Sequence, residues 1–200
     1  MFHVKPYWVR AAEFCRLELD DDQVERMERY GDWLSTEGIA AGGIGPAEGE
    51  RIDRRHLADS VLFASQLGTG EEVWDLGSGV GLPGIPLAIC LPHTSFVLLD
   101  RSGRRVDLVR RVIRVLDLEN CQAVQGEISE IDGEIGVMVS RASLPPTQLA
   151  ETGRRHLSPG GVLVAGGSWQ EPPQHRGWVT VEIPRDVLDQ PVWLLIMRRQ

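Results

Sequence analysis

The chain has 200 residues, 42% of them hydrophobic and 25% charged, which suits one α/β domain with a modest appendage and a real buried core. No apolar run approaches the roughly 20 residues of a membrane helix. The formal net charge of −8 speaks against non-specific binding to naked nucleic acid, which relies on neutralising phosphates.

Met1–Pro6 lacks the apolar core and small-residue cleavage site of a signal peptide, so a cytoplasmic protein is expected. Asp20-Asp21-Asp22 offers a helix N-cap and an acidic first turn. Apolar or aromatic residues follow at Val24, Met27, Tyr30 and Leu34, with Trp33 adjacent, and Gly38 supplies a stop. Gly38–Gly49 holds five glycines and Pro46, and is expected to be a loop. Helical periodicity resumes over Ile52–Leu67 through Leu57 and Val61. Residues 1–67 therefore read as a small helical cap with no core large enough to stand alone.

Residues 68–200 alternate strands with helices. The expected order is a strand at 73–76, a helix at 86–91 ended by Pro92, a strand at 95–99, and a helix at 104–116 with an apolar stripe from Val106 to Leu116. Strands at 121–124 and 137–140, a helix at 147–157 and a strand at 161–165 after a Pro159-Gly160-Gly161 turn complete the pattern. Short strands alternating with helices imply a doubly wound, mostly parallel sheet with its ligand site beyond the carboxyl ends of the strands. Trp178–Ile183 and Val192–Met197 are strand-like, with no convincing helix between them, and are expected to add an antiparallel pair.

Four glycines, Gly77, Gly79, Gly81 and Gly84, follow the strand that ends at Asp75-Leu76. Gly79-x-Gly81-x-x-Gly84 fits a dinucleotide fingerprint. Asp75-x-Gly77-x-Gly79-x-Gly81 instead places an acid ahead of the glycines, where it suits the ammonium of a zwitterion such as S-adenosylmethionine. The amide groups that open the next helix favour a polar or anionic ligand group. Asp100, 21 residues beyond Gly79, sits where an acid hydrogen-bonds ribose hydroxyls in either type of site. Its alternative role is to cap the following helix.

Ser140-Arg141-Ala142 follows the fourth strand, at the expected switch point. Arg141 there is a candidate for orienting cofactor or substrate, or else a surface arginine. Glu127 and Ser129 lie where an adenine edge is expected, or in a solvated loop. His56 lies in a polar helical stretch that reads as a solvated face. Cys15, Cys90 and Cys121 are odd in number and widely spaced, against a disulfide framework or a metal site. The charge is polarised: Arg101–Arg114 carries six arginines against Asp107, whereas Glu13–Glu37 carries nine acids against three arginines.

The stretch from Asp75 to Ala88, with its Gly-Leu-Pro-Gly-Ile-Pro core, closely resembles the cofactor loop of the glucose-inhibited division protein B family. Phe2-His3-Val4, His56-Leu-Ala-Asp59-Ser60, Leu98–Arg105, Val124-Gln125 and Val139–Ala142 match in the same order, so the resemblance covers most of residues 1–168. It implies a Rossmann-like class I methyltransferase that uses S-adenosylmethionine to methylate N7 of a guanine in 16S rRNA. It also implies cofactor contacts from Gly77, Leu82, Ile128, Ser129 and Arg141, with Asp100 on the ribose. The full candidate set adds Asp75, Ser78, Gly79, Gly81 and Arg101. No residue is assigned to acid–base catalysis and no metal is expected. The expected partner is 16S rRNA in an assembling small subunit, met by a monomer, with no membrane involved. Two departures leave the acceptor open: Trp33-Leu34 with the glycine-rich loop, and Ala165-Gly166-Gly167, where the family carries other residues. A small-molecule or protein methyltransferase, and a non-catalytic cofactor binder, are the alternatives.

Overall fold

In a computed structural model, residues 5–68, 70–167 and 169–200 are described. The Phe2-His3-Val4 match and the Met1 end of the chain lie outside the described residues.

The acidic start near residue 20 does form a helix, α2 (Asp21–Trp33). Asp20 accepts the Gln23 amide at 2.8 Å, while the Gln23 side chain accepts the Asp20 amide at 2.9 Å. Such a reciprocal box satisfies two otherwise orphaned donors. Met27, Tyr30 and Trp33 face inward, as their spacing requires. Gly38 does not stop the helix, which continues as a π-turn over Leu34–Gly38 and then through Ala40. The expected loop shrinks further, because Pro46–Arg51 forms a 3-10 helix begun by Pro46. Ile52–Gln66 is helical as expected, but in pieces: a π segment (Ile52–Ala58), one turn named α3 (Asp59–Val61) and a 3-10 end (Leu62–Gln66).

An earlier helix, α1 (Tyr7–Phe14), was not anticipated. It begins after Pro6 with no local side-chain cap. Asp53 caps it from a distance, accepting the Tyr7 and Trp8 amides at 3.0 and 3.2 Å.

Seven strands form one sheet in the order β3-β2-β1-β4-β5-β7-β6. They are β1 (Val73–Leu76), β2 (Phe96–Asp100), β3 (Cys121–Gln125), β4 (Ile135–Arg141), β5 (Leu157–Gly166), β6 (Val179–Ile183) and β7 (Val192–Arg198). The first five are mutually parallel, and β7 runs antiparallel to both β5 and β6. Helices α4 (Gly84–Cys90), α5 (Gly103–Val115) and α6 (Pro146–His156) alternate with the strands, and a short α7 (Arg185–Leu188) joins β6 to β7. That last helix corrects the expectation of none; its four residues are too few to show a helical period.

The Pro159-Gly160-Gly161 turn also changes character. Strand β5 begins at Leu157 and passes through it as a register shift, opposite the Ile135–Val137 step of β4. Gly160 takes φ +79° there.

Alternation sends Val73, Leu98, Val137 and Val164 to one face of the sheet and Leu76, Leu99, Met138 and Leu163 to the other. The first face shares a continuous apolar cluster with Trp8, Met27, Tyr30, Leu34 and Phe63 of residues 5–67. We propose that cap and sheet therefore unfold as one unit. Far-UV circular dichroism and tryptophan fluorescence are expected to give coincident thermal transitions; two separated transitions would mark an independently folding cap.

Candidate functional site

The order β2-β1-β4 places the switch point between β1 and β4, where connections leave in opposite directions. A cavity of about 440 Å³ opens there, within the usual size of small-molecule sites. Its floor is the glycine turn, contributing Gly77, Ser78, Gly79, Val80 and Leu82. Leu99, Asp100, Arg101 and Arg105 come from the end of β2 and the start of α5. Gly126, Glu127 and Ile128 follow β3, while Arg141 ends β4 and Ala142–Leu144 follow it. Gly43 reaches over from the cap.

The turn is held by its own backbone and by two carboxyls. The amides of Gly77 and Ser78 donate to the Leu99 carbonyl at 2.8 and 3.0 Å, lashing the turn to β2. Gly77 has φ +75°, and a Cβ there would stand 2.5 Å from Ser143 Cβ, so both conformation and space demand glycine. Asp100 is 5% exposed; Oδ2 accepts the Gly79 amide at 2.9 Å and Oδ1 the Ser102 amide at 2.8 Å. Helix α5 takes Ser102 as its N-cap residue, so Asp100 is not the cap of that helix. A carboxylate oxygen accepts more than one bond, which leaves Asp100 acceptor capacity on the cavity side.

Asp75 stands elsewhere than its sequence position suggested. It does not line the cavity and has no exposed surface. Its Oδ2 accepts the Gly84 amide at 2.9 Å, and Oδ1 has no partner among the described residues. The pleat turns this side chain into the layer under α4, so the amide expected to greet a ligand is taken by a buried carboxyl. Gly81 and Ser129 are likewise absent from the cavity wall. Gly81, at φ +98°, lies against Ile85 and the Tyr30 hydroxyl. Ser129 lies in a 3-10 turn (Ile128–Glu130) whose ends are tied by Glu127 and Glu130, which leaves Glu127 and Ile128 at the wall.

Arg141 lines the cavity but is turned towards the cap. Nη1 donates to the Arg55 carbonyl at 3.2 Å, and Nη2 lies 3.2 Å from His56 Nδ1. Burial lowers the pKa of its guanidinium. His56 is consequently no solvated residue: it is 8% exposed, with its Nε2 3.5 Å from Glu48. Burial and the neighbouring Arg141 charge push the imidazole down to about 4.

Sequence reasoning missed Gly43, Val80, Leu99, Arg105, Gly126 and the Ala142–Leu144 segment. Gly43 had a signal in the Gly42-Gly43 pair: a Cβ on it would overlap Val80 at 1.9 Å, so the cap approaches the turn closely only with glycine there. Ala142 was noted only as part of Ser140-Arg141-Ala142, and its left-handed backbone, φ +54°, is invisible in composition. Cys90 and Cys121 are buried, as read, and among the described residues no group of three or more His, Cys, Asp or Glu side chains could hold a metal ion.

Sheet order, switch point and glycine turn together define a Rossmann-like, doubly wound α/β protein. Solved structures agree on that fold. The [4+2]-cyclase SpnF superposes with TM-score 0.55 and 16% identity over 71% of this chain and 80% of its own. The fibrillarin/Nop5p complex gives 0.52 and 15%, also over 71% and 80%. Residues 23–174 match the GidB family, described as rRNA small subunit methyltransferase G, and the chain belongs to that family. It is 36% identical over 146 residues to the ribosomal RNA small subunit methyltransferase G of Acidothermus cellulolyticus, covering 72% of this chain and 66% of that one. The protein of the same name from Mycobacterium leprae is 41% identical over 143 residues, covering 69% and 58%. The chain thus spans less than two thirds of the length of these relatives.

Burial pushes the Asp75 carboxyl up to about 7, against smaller downward pulls from the Gly84 amide and Arg141. Between about pH 4 and 7 the native state keeps a proton that the unfolded chain has lost, so this group's contribution to stability falls as pH rises through that window and is flat above it. Asp75→Asn retains an acceptor for Gly84 and abolishes the titration. In urea unfolding, the variant's stability relative to the parent is expected to rise by at most about 2–3 kcal/mol between pH 5 and pH 8. An unchanged difference would show that Asp75 does not titrate there.

Proposed function

We propose that this protein binds S-adenosylmethionine in the 440 Å³ cavity and transfers its methyl group to N7 of a guanine in 16S rRNA. The observation that carries the reading is the convergence of Asp100 with the glycine turn on one cavity, in a chain of the rRNA small subunit methyltransferase G family. The cofactor, when bound, supplies an electrophilic methyl on a sulfonium. Asp100 would accept from the ribose hydroxyls, with Arg101 beside it, and Gly77, Ser78, Gly79 and Leu82 would form the floor. Glu127 and Ile128 would meet the base. Val80, Leu82, Leu99, Ile128 and Leu144 supply apolar wall, which keeps water from a charged methyl donor. Asp75 and Gly81 would act beneath the floor, as supports of the turn.

Asp75 also bears on the choice of cofactor, though by a different route from the ammonium contact. A dinucleotide places its pyrophosphate on the amides that open the helix. Here the first amide of α4 is occupied by a buried carboxyl, which disfavours a phosphate at that spot. S-adenosylmethionine has no phosphate to lose by this.

Guanine N7 has an in-plane lone pair, so attack on the methyl requires no prior deprotonation. The protein's task is then alignment and exclusion of water. The target would be structured rRNA in an assembling subunit in the cytoplasm, met by a monomer. Among the described residues, no helix is long and apolar enough to cross a membrane. Arg110 and Arg111 are drawn to Asp107 and Glu37, at 3.4 and 3.6 Å. Arg101 and Arg104, at the cavity end of α5, are the arginines that would meet phosphate.

Calorimetry is expected to show binding of S-adenosylmethionine and none of NAD, with Asp100→Ala weakening the former at least tenfold. Binding of NAD alone would overturn the cofactor assignment. Tritiated methyl from S-adenosylmethionine is expected to enter 16S rRNA of small subunits from a strain lacking the endogenous enzyme, and not of subunits already modified. Arg104→Glu should slow this transfer several-fold with cofactor affinity unchanged. Equal labelling of unrelated RNAs, or labelling only of protein or small molecules, would reject the acceptor.

A further inference from the structure

Arg141 and Ala142 line two cavities. Besides the large one, they border a partly open void of about 20 Å³ lined also by Asp59, Phe63, Gly166 and Trp193. Three of the side chains around that void carry a buried polar atom with no hydrogen-bond partner: Asp59 Oδ1, Arg141 Nε and Trp193 Nε1. One is an acceptor and two are donors. A void of this size admits one water molecule, and a water ordered against buried polar atoms characteristically makes about three hydrogen bonds to groups the protein leaves unsatisfied. Water can accept from both N–H groups and donate to the carboxylate, so the donor–acceptor count closes.

We infer that the void is a specific water site, and that through this water Asp59 is a positioning residue for Arg141 at the edge of the proposed cofactor cavity. Asp59 does not itself line the large cavity, so it acts only through its neighbour. The other end of the guanidinium is already fixed. Its bond to Nδ1 requires an accepting ring nitrogen, which makes His56 the neutral tautomer with its proton on Nε2, facing Glu48 Oε2 at 3.5 Å. Nε is the guanidinium nitrogen left without a partner, and the water couples it to a carboxylate. Burial raises the Asp59 carboxyl to about 6 while the Arg141 charge opposes the rise, as expected of a carboxylate facing a buried guanidinium. The segment carrying His56 and Asp59 thus matters to the site without touching a ligand.

The role assigned to Asp59 rests on the cofactor reading above, whereas the water site does not, and two measurements keep them apart. In 15N-labelled protein without ligand, the Trp193 indole N–H, assigned by its loss in Trp193→Phe, is expected to show a cross-peak to a long-lived water. That cross-peak should persist in Asp59→Asn, which keeps an acceptor, and vanish in Asp59→Leu. No cross-peak in the parent overturns the water site. Calorimetry with S-adenosylhomocysteine, at a temperature where all variants are folded, is expected to give Asp59→Asn within about threefold of the parent and Asp59→Leu at least tenfold weaker. A merely structural role would lower the melting temperature of Asp59→Leu and leave the affinity of the folded protein unchanged, which would overturn the positioning role. A parent that binds no S-adenosylhomocysteine would reject the cofactor reading and the positioning role together, with the water site still decided by the cross-peak.

Discussion

The hydrogen bond from the Gly84 amide to Asp75 Oδ2 joins the end of β1 to the first turn of α4 across nine residues, and it closes the glycine turn from below. Residues 77–83 have to arch over this link, and the arch is the floor of the cavity. The same link explains Gly84, since a Cβ there would stand 2.8 Å from Asp75 Oδ2 and 2.7 Å from the Leu98 side chain. Asp75 and Gly84 are therefore one structural unit. A buried carboxyl with one unsatisfied oxygen is unfavourable to ionise, and the raised pKa is the measure of that. The cost is borne where it fixes the backbone that forms the cavity floor.

The cap completes what this link begins. The Tyr30 hydroxyl donates to the Val80 carbonyl at 2.9 Å, Gln23 donates to the Ile89 carbonyl at 2.7 Å, and Gly43 presses against Val80. Each contact holds the turn or the helix after it from the cap. The cap is in this sense one wall of the site, and its large buried residues, Met27, Tyr30 and Leu34, belong to the same apolar cluster as Val73, Ile85 and Leu98. Arg141 adds a polar tie between the end of β4 and the Ile52–Ala58 segment.

The parts of this fold that were legible in the sequence are those whose causes are local. Apolar runs bounded by turns marked all seven strands, and Asp20 with its acidic neighbours marked α2. Gly77, Gly79 and Asp100 were legible because a turn needing positive φ and an acid at a strand end leave fixed spacings. The unread parts have remote causes. Helix α1 is capped by Asp53, 46 residues from Tyr7, so its start has no signal of its own. Asp75 was placed correctly at the end of β1, but which face its carboxyl takes depends on how α4 packs. His56 read as solvated because its neighbours are arginines. Its burial follows from Arg141 and Glu48, which approach it only in the folded chain.

Fold alone does not choose the reaction, since a [4+2]-cyclase shares this architecture. Charge placement narrows the choice, because the −8 total hides a spatial sorting. The acidic cap lies against the far end of the basic helix. Arg29 of α2 donates to the Val115 carbonyl at 2.6 Å, and Glu37 draws Arg111 to 3.6 Å. Positive charge on α5 is thereby partly neutralised away from the cavity, while Arg101 and Arg105 remain on the cavity wall. Arg105 leans towards Asp100 at 3.9 Å, and Arg101 is exposed. A polyanion approaching this acidic protein would find its favourable potential at the cavity edge and repulsion over the acidic cap helix. Under the proposed function, such focusing would favour a structured partner that presents phosphate and a base together, over a free strand that binds wherever charge allows.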